Sequence, residues 1–390
     1  MTVVKFQDLN ITMIKSLTEE KTLRFSYTVI LVSVITSIFL SIKLWVGQRF
    51  FPSIPLFDFL PTLKTPLDSI LLYLTEIAIT LNIIYFFDKR LHLCLIFSFI
   101  ILGVFDLSRI QPWYFHAFLM IISFLGHIKD SEKSQTRITF LLKVIISISL
   151  IWNGLNKINI SYFNEVIPWF SKAFSSKTND IIYTFSILLP LLEIISPIII
   201  WREKTRKLGM FLIIIIQFFY IFITSPLGYN INLSMLPWHF SLSILIFLLF
   251  QKSHNFRENI SLVFESKSLK IAIITIAFLP LLNLFNLWDS YLSFNLYSNA
   301  GSSAKIYLSD KALNFLPSGI ENHLKNEESP NTIDIKKWAV SELGVCVYPE
   351  KRAYERVKKY FLEYASDSSE VMLNYQEKRT IFKNPEPIVN

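Results

Sequence analysis

Apolar residues form long runs along most of this chain, and short polar segments separate the runs. A run of about twenty apolar residues is long enough to cross roughly 30 Å of hydrocarbon as a helix. Nine segments of this kind lie near residues 26–47, 67–88, 92–105, 112–127, 138–156, 179–201, 207–224, 233–251 and 269–288. The pattern predicts an all-α polytopic membrane protein with about nine transmembrane helices, and assigns residues 26–288 to the transmembrane bundle.

The segments at 92–105 and 112–127 are short and meet at a polar sequence from Phe105 to Pro112. They are interpreted as two crossings, as a re-entrant hairpin or as one broken helix. The first apolar segment follows a more polar stretch, residues 1–25, and no small-residue cleavage site accompanies it. It therefore predicts a retained helix rather than a cleaved signal peptide.

The composition changes after Asp289, and residues 289–390 predict a small α+β domain. Apolar residues recur at helical spacing on one face of a predicted helix, at Tyr354, Val357, Phe361 and Tyr364. A second helix is predicted near Ile335–Leu343. Short alternating runs predict strands near Ala304–Leu308 and Val371–Tyr375.

Composition supports the membrane assignment. The chain is 52% hydrophobic and 17% charged, and its mean hydropathy is +0.44. It carries a formal net charge of +8, but most Lys and Arg residues lie in short loops between apolar runs, so nucleic acid is not an expected partner. With nine Gly and two Cys, the chain has little material for a phosphate-binding loop or a disulfide framework.

The distribution of positive charge predicts the orientation in the bilayer. With the N-terminus inside, the inner segments carry 18 Lys and Arg residues and the outer segments carry seven. Cytoplasmic loops are enriched in these residues, so the bias favours a cytoplasmic N-terminus. Nine crossings then place the C-terminal domain outside, which for a bacterial inner membrane protein means the periplasmic or extracellular face.

Two carboxylates lie near the middle of predicted membrane helices, Glu76 and Glu193. A charged residue at mid-membrane costs about 2.5–3.5 kcal/mol on insertion scales. In one interpretation each carboxyl group has a structural role, protonated or hydrogen-bonded to a neighbouring helix. In the other it belongs to a proton relay or a ligand site.

A second set of polar residues lies toward the predicted outer ends of the helices. On the fifth helix, Ser149, Asn153 and either Asn156 or Lys157 share one face, which predicts a polar cavity lining. The other members of the set are Asp106, Arg109, Gln111, Gln217, Tyr229, Asn230, Asn232, Trp238 and His239. Alternatives remain open: Lys157 snorkels to the headgroups, Asp106 and Arg109 neutralise each other, and His239 is an interfacial residue.

Common catalytic and metal-binding motifs are absent from the sequence. It contains no His-x-x-His, Cys-x-x-Cys or Gly-x-Ser-x-Gly motif, and no Gly-rich phosphate loop. No metal site is therefore predicted, and ATP-driven chemistry is disfavoured.

The run from Ile151 to Asn159, which contains Gly154-Leu155-Asn156-Lys157, resembles the Gly-x-x-Lys-Leu motif of the HTTM family, the membrane domain shared with vitamin K-dependent gamma-carboxylase. The segment from Asp106 to Trp113 is similar to the hairpin of bacterial members. The segment from Pro226 to Asn230 and the pair Pro237-Trp238 are similar to bacterial relatives of the HTTM and DoxX type. The resemblance covers roughly residues 30–250.

The resemblance implies that Lys157 is the lysine acting as a base toward a reduced vitamin K hydroquinone, and hence that a quinone is the cofactor or ligand. The tail is shorter than that of the carboxylase, and Gln217 replaces a histidine common in relatives. The leading hypothesis is an enzyme acting on a quinone or lipid-like substrate at an outer-leaflet site. Its candidate base is Lys157, and its candidate substrate-binding residues are Asn153, Asn156, Asp106, Arg109, Gln217, Asn230 and His239. The alternative is a non-enzymatic protein that transports, matures or anchors an exported partner.

Overall fold

The computed structural model describes residues 2–63, 65–127, 131–174, 179–251, 260–261, 265, 267–325, 331–380, 385 and 388–389, with side chains from residue 19 onward except at positions 268, 325 and 389. The cations Lys64, Lys129, Lys177, Lys252 and Arg257, which entered the charge count above, lie outside the described residues. Asn390, the last residue of the predicted C-terminal domain, also lies outside them.

The described residues are mostly helical. Their α-helices are α1 Thr2–Leu40, α2 Ile42–Trp45, α3 Leu67–Ile84, α4 Lys89–Phe105, α5 Pro112–Ser123, α6 Glu132–Asn156, α7 Ile167–Lys172, α8 Asn179–Ile199, α9 Arg206–Thr224, α10 Leu236–Phe250, α11 Lys267–Phe278, α12 Asp310–Leu313, α13 Ile335–Leu343 and α14 Lys351–Leu362. Local sequence explains several starts. The Asp88 carboxylate accepts from the Arg90 and Leu91 amides at the start of α4, and Pro112 occupies the first turn of α5.

Each predicted apolar segment corresponds to a helix. Within the described residues, six helices are long and apolar enough to cross a membrane: Glu19–Leu40, Leu67–Ile84, Glu132–Asn156, Asn179–Ile199, Arg206–Thr224 and Leu233–Phe250. The remaining three segments form shorter helices. They are α4 with 17 residues, Pro112–Gly126 and Leu269–Phe285, the last two including 3₁₀ turns. Six candidate spans are thus established by length and composition.

Helices α4 and α5 form a hairpin rather than one broken helix. A 3₁₀ turn, Leu107–Arg109, joins them. The Tyr114 hydroxyl donates to the Phe99 carbonyl at 2.6 Å, and the two rings stack at 4.8 Å. The Asp106 carboxylate accepts from the Ser108 amide at 3.0 Å and so caps the turn. The helices therefore pack side by side.

The C-terminal part contains a five-stranded antiparallel sheet of order β2-β3-β1-β4-β5. Its strands are β1 Ser303–Leu308, β2 Leu324–Lys325, β3 Thr332–Asp334, β4 Val371–Gln376 and β5 Ile388–Val389. In the centre of the sheet, Ile306 pairs with Ile333 on one side and with Leu373 on the other. The two predicted strands correspond to β1 and β4, and the two predicted helices correspond to α13 and α14, so these four element predictions are confirmed.

The sheet and its helices rest on one end of the bundle. The Gln111 side-chain amide donates to the Cys346 carbonyl at 2.9 Å, and the Phe51 and Trp338 rings contact edge to face at 4.8 Å. Arg356 forms an ion pair with Asp58. One hydrophobic cluster includes residues of both parts. The turn between α4 and α5 and the C-terminal sheet domain are therefore at the same end of the molecule.

Candidate functional site

The most enclosed charges described in the protein are Lys157 and Glu193. Lys157 follows the last residue of α6, and Glu193 lies within α8. The Lys157 Nζ and Glu193 Oε2 atoms are 2.9 Å apart, and both side chains are 0% exposed. Such a pair is costly to bury, because each ion loses its hydration.

Side chains from two further positions complete the environment of Glu193. The Asn153 amide donates to Glu193 Oε1 at 2.7 Å, and the Tyr220 hydroxyl donates to the same oxygen at 2.6 Å. The Lys157 Nζ atom also lies 5.6 Å from the centroid of the Tyr220 ring. Three helices, α6, α8 and α9, therefore converge on one carboxylate.

Gly154 permits this convergence. A Cβ atom at this position would lie 2.6 Å from the Pro190 carbonyl oxygen and 3.1 Å from the Glu193 Cβ atom. No side chain fits at those distances, so a glycine is required where α6 crosses α8. Gly154 thus allows α6 and α8 to approach closely, and the Lys157 amine follows three residues later.

Gln217 and His239 adjoin the pair through Tyr220. The His239 Nδ1 and Gln217 Oε1 atoms are 2.7 Å apart, and the His239 and Tyr220 rings stack at 5.2 Å. Both side chains are buried. His239 is consequently a core residue beside the ion pair, and the interfacial alternative does not describe it.

The sequence predicts an open polar cavity around Lys157, but the side chains there are buried. Lys157 is fully enclosed, and Asn153 is 7% exposed. The snorkelling alternative fails for the same reason, since the Lys157 amine contacts Glu193 rather than headgroups. The polar stripe on α6 faces neighbouring helices, which fill the space that the stripe suggested would be open.

Asp106 and Arg109 belong to a different cluster. Asp106 forms its ion pair with Arg49, and Arg109 adds a second positive charge that acts on the same carboxylate, so two arginines share the neutralisation that the sequence suggested for Arg109 alone. The Arg109 guanidinium donates to the Trp45 carbonyl at 3.2 Å and lies 5.7 Å from the centroid of the Trp45 ring. These contacts connect the end of α2 with the turn after α4. It does not bring either residue into contact with Lys157.

Asn156 points toward the C-terminal sheet domain. Its amide donates to the Ser293 carbonyl at 2.9 Å, and its oxygen accepts from Asn283 at 3.2 Å. Asn283 in turn accepts from Lys378 at 3.2 Å, and Lys378 pairs with Glu350 at 2.8 Å. Asn156 therefore links α6 to a third enclosed ion pair.

Two predicted site residues lie apart from these clusters. Asn230 is exposed and has a φ of +53°, which suits the turn between α9 and α10. Glu76 is half-buried on α3, and its carboxylate has no side-chain partner among the described residues. Neither joins the Lys157 environment. The described residues also contain no group of three or more His, Cys, Asp or Glu placed to hold a metal ion.

Sequence reasoning missed Tyr220 and did not connect Glu193 with Lys157. Weak signals for both were available. Tyr220 follows Gln217 by three residues, so the two share a helix face. The face of α8 that carries Glu193 also carries Ser186, Pro190 and Pro197, and all three are buried.

A comparison of the chain with protein-family models, with curated proteins and with solved structures finds no match.

Proposed function

We propose that the chain is a membrane enzyme that transfers a proton to or from a lipid-soluble hydroxylated substrate, a quinol or a related lipid-like molecule, at the Lys157–Glu193 pair. The observation that carries the proposal is the pair itself, with an amine and a carboxylate 2.9 Å apart and 0% exposed. Apolar residues of similar volume would be no less stable at such a position. Such a pair is therefore a candidate functional site, and the side chains that hold its carboxylate, Tyr220 and Asn153, are what distinguish it from a structural pair.

The chemistry follows from the low dielectric around the pair. Burial disfavours both charges, which brings the neutral amine and neutral carboxylic acid closer in free energy to the ion pair. Once the Lys157 proton moves to Glu193, the amine nitrogen has a free lone pair and can accept the proton of a substrate hydroxyl. Tyr220 and Asn153, which donate to Glu193 Oε1, stabilise the carboxylate form and set the balance between the two states.

The resemblance to the HTTM family supports the same assignment. The Gly154-x-x-Lys157 spacing aligns Lys157 with the lysine that serves as a base in that family. In this chain the glycine has a physical role, because it admits α8 and with it Glu193.

The substitution Lys157→Arg tests the proposal. Arginine keeps the positive charge but cannot serve as a base, because its pKa exceeds about 12. Lys157→Arg should insert into the membrane at near-normal levels and fail to complement a strain that lacks the gene. The matched control is Lys172→Arg on the exposed side of α7, which should complement fully. If Lys157→Arg complements and only Lys157→Ala fails, the residue is a charge contact and not a base.

We also propose nine crossings, with the N-terminus cytoplasmic and the C-terminal sheet domain outside. The charge bias of 18 to seven supports this orientation, and the three shorter helices supply the crossings beyond the six long ones. Reporters fused after Arg206 and after Asn390 should lie on opposite faces. A cytoplasmic reporter after Asn390 would mean an even number of crossings and would overturn the assignment.

The competing function is transport, maturation or anchoring of an exported partner. The observation in its favour is that the C-terminal sheet domain packs on the bundle and carries exposed cations on α14, such as Lys351 and Lys359. A partner-binding protein should lose function in the double variant Lys351→Glu/Lys359→Glu. The enzyme should tolerate that change and depend on Lys157.

A further inference from the structure

Helix α3 is the least covered of the six candidate membrane spans. In its apolar 18-residue window 28% of the residues are buried inside the molecule, against 33–72% in the other five spans. Its exposed apolar and aromatic side chains recur at helical spacing and form one stripe: Ile70, Tyr73, Leu74, Ile77 and Ile84. One face of α3 is therefore left to the lipid, or to a partner, by the described part of the chain.

A row of polar residues runs along one edge of this exposed stripe and is named here the α3 seam. Its members follow one another at spacings of four, three and four residues: Ser69, Tyr73, Glu76 and Thr80. This spacing places side chains along a single line, as at the contact positions of paired helices. The Glu76 carboxyl group and the Tyr73 hydroxyl have no polar partner among the described residues. The seam therefore carries hydrogen-bonding groups that the described chain does not use itself.

Glu76 lies too deep along α3 to reach the headgroups. It is nine residues from Leu67 and eight from Ile84, which at 1.5 Å per residue is about 12–14 Å from either helix end. An ionisable group at that depth is costly unless it faces the protein interior or meets a partner. Since Glu76 is only half-buried in its own chain, its carboxyl group needs a partner within the membrane.

A second copy of the chain supplies a partner at the same depth. Copies inserted in the same orientation are related by a twofold axis along the membrane normal, so each residue near the axis meets its own counterpart. A protonated carboxyl group has one donor and free acceptor sites, so two Glu76 side chains can satisfy each other. A second copy offers no cation at this depth: among the described residues, the exposed and half-exposed Lys and Arg of the six candidate spans lie in the first six residues of their helices.

We propose that the chain forms a parallel dimer through the α3 seam, in which the two Glu76 carboxyl groups hydrogen-bond to each other near mid-membrane. Polar side chains that hydrogen-bond across helices are a recurring means of association in lipid, where apolar surface alone gives little preference for protein over lipid. Tyr73 and Thr80 lie one turn from Glu76 on either side and contact the partner helix. The dimer face is on α3, and the Lys157–Glu193 pair lies among α6, α8 and α9, so the dimer does not depend on the function of that pair.

The oligomeric state of the full chain in lipid vesicles tests the α3 seam. Photobleaching steps of singly labelled protein, counted over a range of protein-to-lipid ratios, give the dimer dissociation constant. Glu76→Leu removes the hydrogen-bonding group and should raise this constant about tenfold. The variant should still fold and insert, because leucine is favourable in a membrane helix. Glu76→Gln keeps a donor and an acceptor and should dimerise within about threefold of the wild type.

Three results would overturn the proposal. They are a wild type that is monomeric at every protein-to-lipid ratio, a Glu76→Leu variant that dimerises as tightly as the wild type, and a Glu76→Gln variant as weak as Glu76→Leu. Association of the wild type with a different membrane protein, lost in Glu76→Leu, would assign the α3 seam to that protein instead of a second copy.

Cysteine cross-linking tests which face of α3 forms the contact. Tyr73 and Leu74 are similarly exposed, at 60% and 56%, but point about 100° apart around the helix, so they are matched positions on and off the seam. Both cysteine variants are made in a Cys94→Ser background, because Cys94 is exposed. Oxidation with copper phenanthroline in vesicles should cross-link Tyr73→Cys into dimers several times more than Leu74→Cys. Equal cross-linking, or more from Leu74→Cys, would place a different face at the contact and contradict the α3 seam.

Discussion

Two buried ion pairs at the same end of this molecule are held in opposite ways. Arg49 and Asp106 are 3% and 1% exposed, and their further partners are mostly backbone groups of the connecting segments. Asp106 accepts from the Ile54 and Ser108 amides at 3.2 and 3.0 Å, while Arg49 donates to the Leu44 carbonyl at 3.0 Å. Backbone amides and carbonyls do not act as acids or bases near neutral pH, so this pair fixes the path of the chain.

The Lys157–Glu193 pair is equally buried, but side chains hold its carboxylate. Tyr220 and Asn153 donate to Glu193 from two other helices, and the Tyr297 ring stacks on Tyr220. These partners can rotate or be displaced without breaking a helix. Burial of an ion pair therefore does not by itself indicate function. Partners that are side chains and can move do indicate it, and backbone partners do not.

Breaking the two pairs should give the largest effects. Removing one partner of a buried pair leaves an uncompensated charge, so Lys157→Ala and Asp106→Asn should each lower the free energy of unfolding by about 3–5 kcal/mol. Chemical unfolding in detergent measures this loss. The double variant Lys157→Met/Glu193→Gln removes both charges and should recover most of the stability, but not the function.

The functional readout separates the two pairs. Asp106→Asn protein that folds should retain function in proportion to its amount, while folded Lys157→Met/Glu193→Gln should have none. A functional double variant would reduce the Lys157–Glu193 pair to the same structural role as Arg49–Asp106.

A smaller effect is expected at the crossing of α6 and α8 beside the Lys157–Glu193 pair. Gly154→Ala places a Cβ atom 2.6 Å from the Pro190 carbonyl oxygen, so α6 and α8 must separate. Overpacking of this kind costs about 1–3 kcal/mol. Gly126→Ala is the control, since no atom lies within 4 Å of its Cβ position. Thermal unfolding of the two variants measures the difference, and equal stability would mean that the helices are not closely packed here.

The smallest effect concerns the Glu350–Lys378 pair in the C-terminal sheet domain. Burial raises the pKa of the Glu350 carboxyl, against the opposing influence of Lys378. The folded state then holds the proton more readily than the unfolded state. The stability contributed by this group is present below the usual glutamate pKa of about 4.3 and is lost as the pH rises through the raised value.

The stability of the wild type relative to Glu350→Gln should therefore fall as the pH rises through that window. Unfolding of both proteins at matched pH values measures the slope. A relative stability that rises with pH would mean that Lys378 outweighs burial and lowers the pKa of Glu350.

Local periodicity explains which parts of the fold could be predicted from the sequence. Tyr354, Val357 and Phe361 recur at helical spacing and are buried on α14, because the spacing alone determines the buried face. Glu76 and Glu193, in contrast, looked equivalent as carboxylates in mid-helix. Only packing distinguishes them: Glu193 meets three partners from other elements, and Glu76 is half-buried without one among the described residues.

The sequence likewise singled out Lys157, Asn153, Gln217 and His239, which lie together or adjoin one another. It could not reveal that neighbouring helices and the residues around Tyr297 enclose them, since Tyr297 is 140 residues from Lys157 along the chain. Contacts at that separation depend on how the elements pack, which no local pattern encodes.

Infrared difference spectroscopy of the carboxyl groups tests most directly whether the Lys157–Glu193 pair is a site of proton transfer. The full chain in lipid would be measured with and without a short-chain quinol. We expect a protonated-carboxyl band that changes on quinol binding, persists in Asp106→Asn and disappears in Glu193→Gln. No carboxyl change, or a change that survives Glu193→Gln, would contradict it.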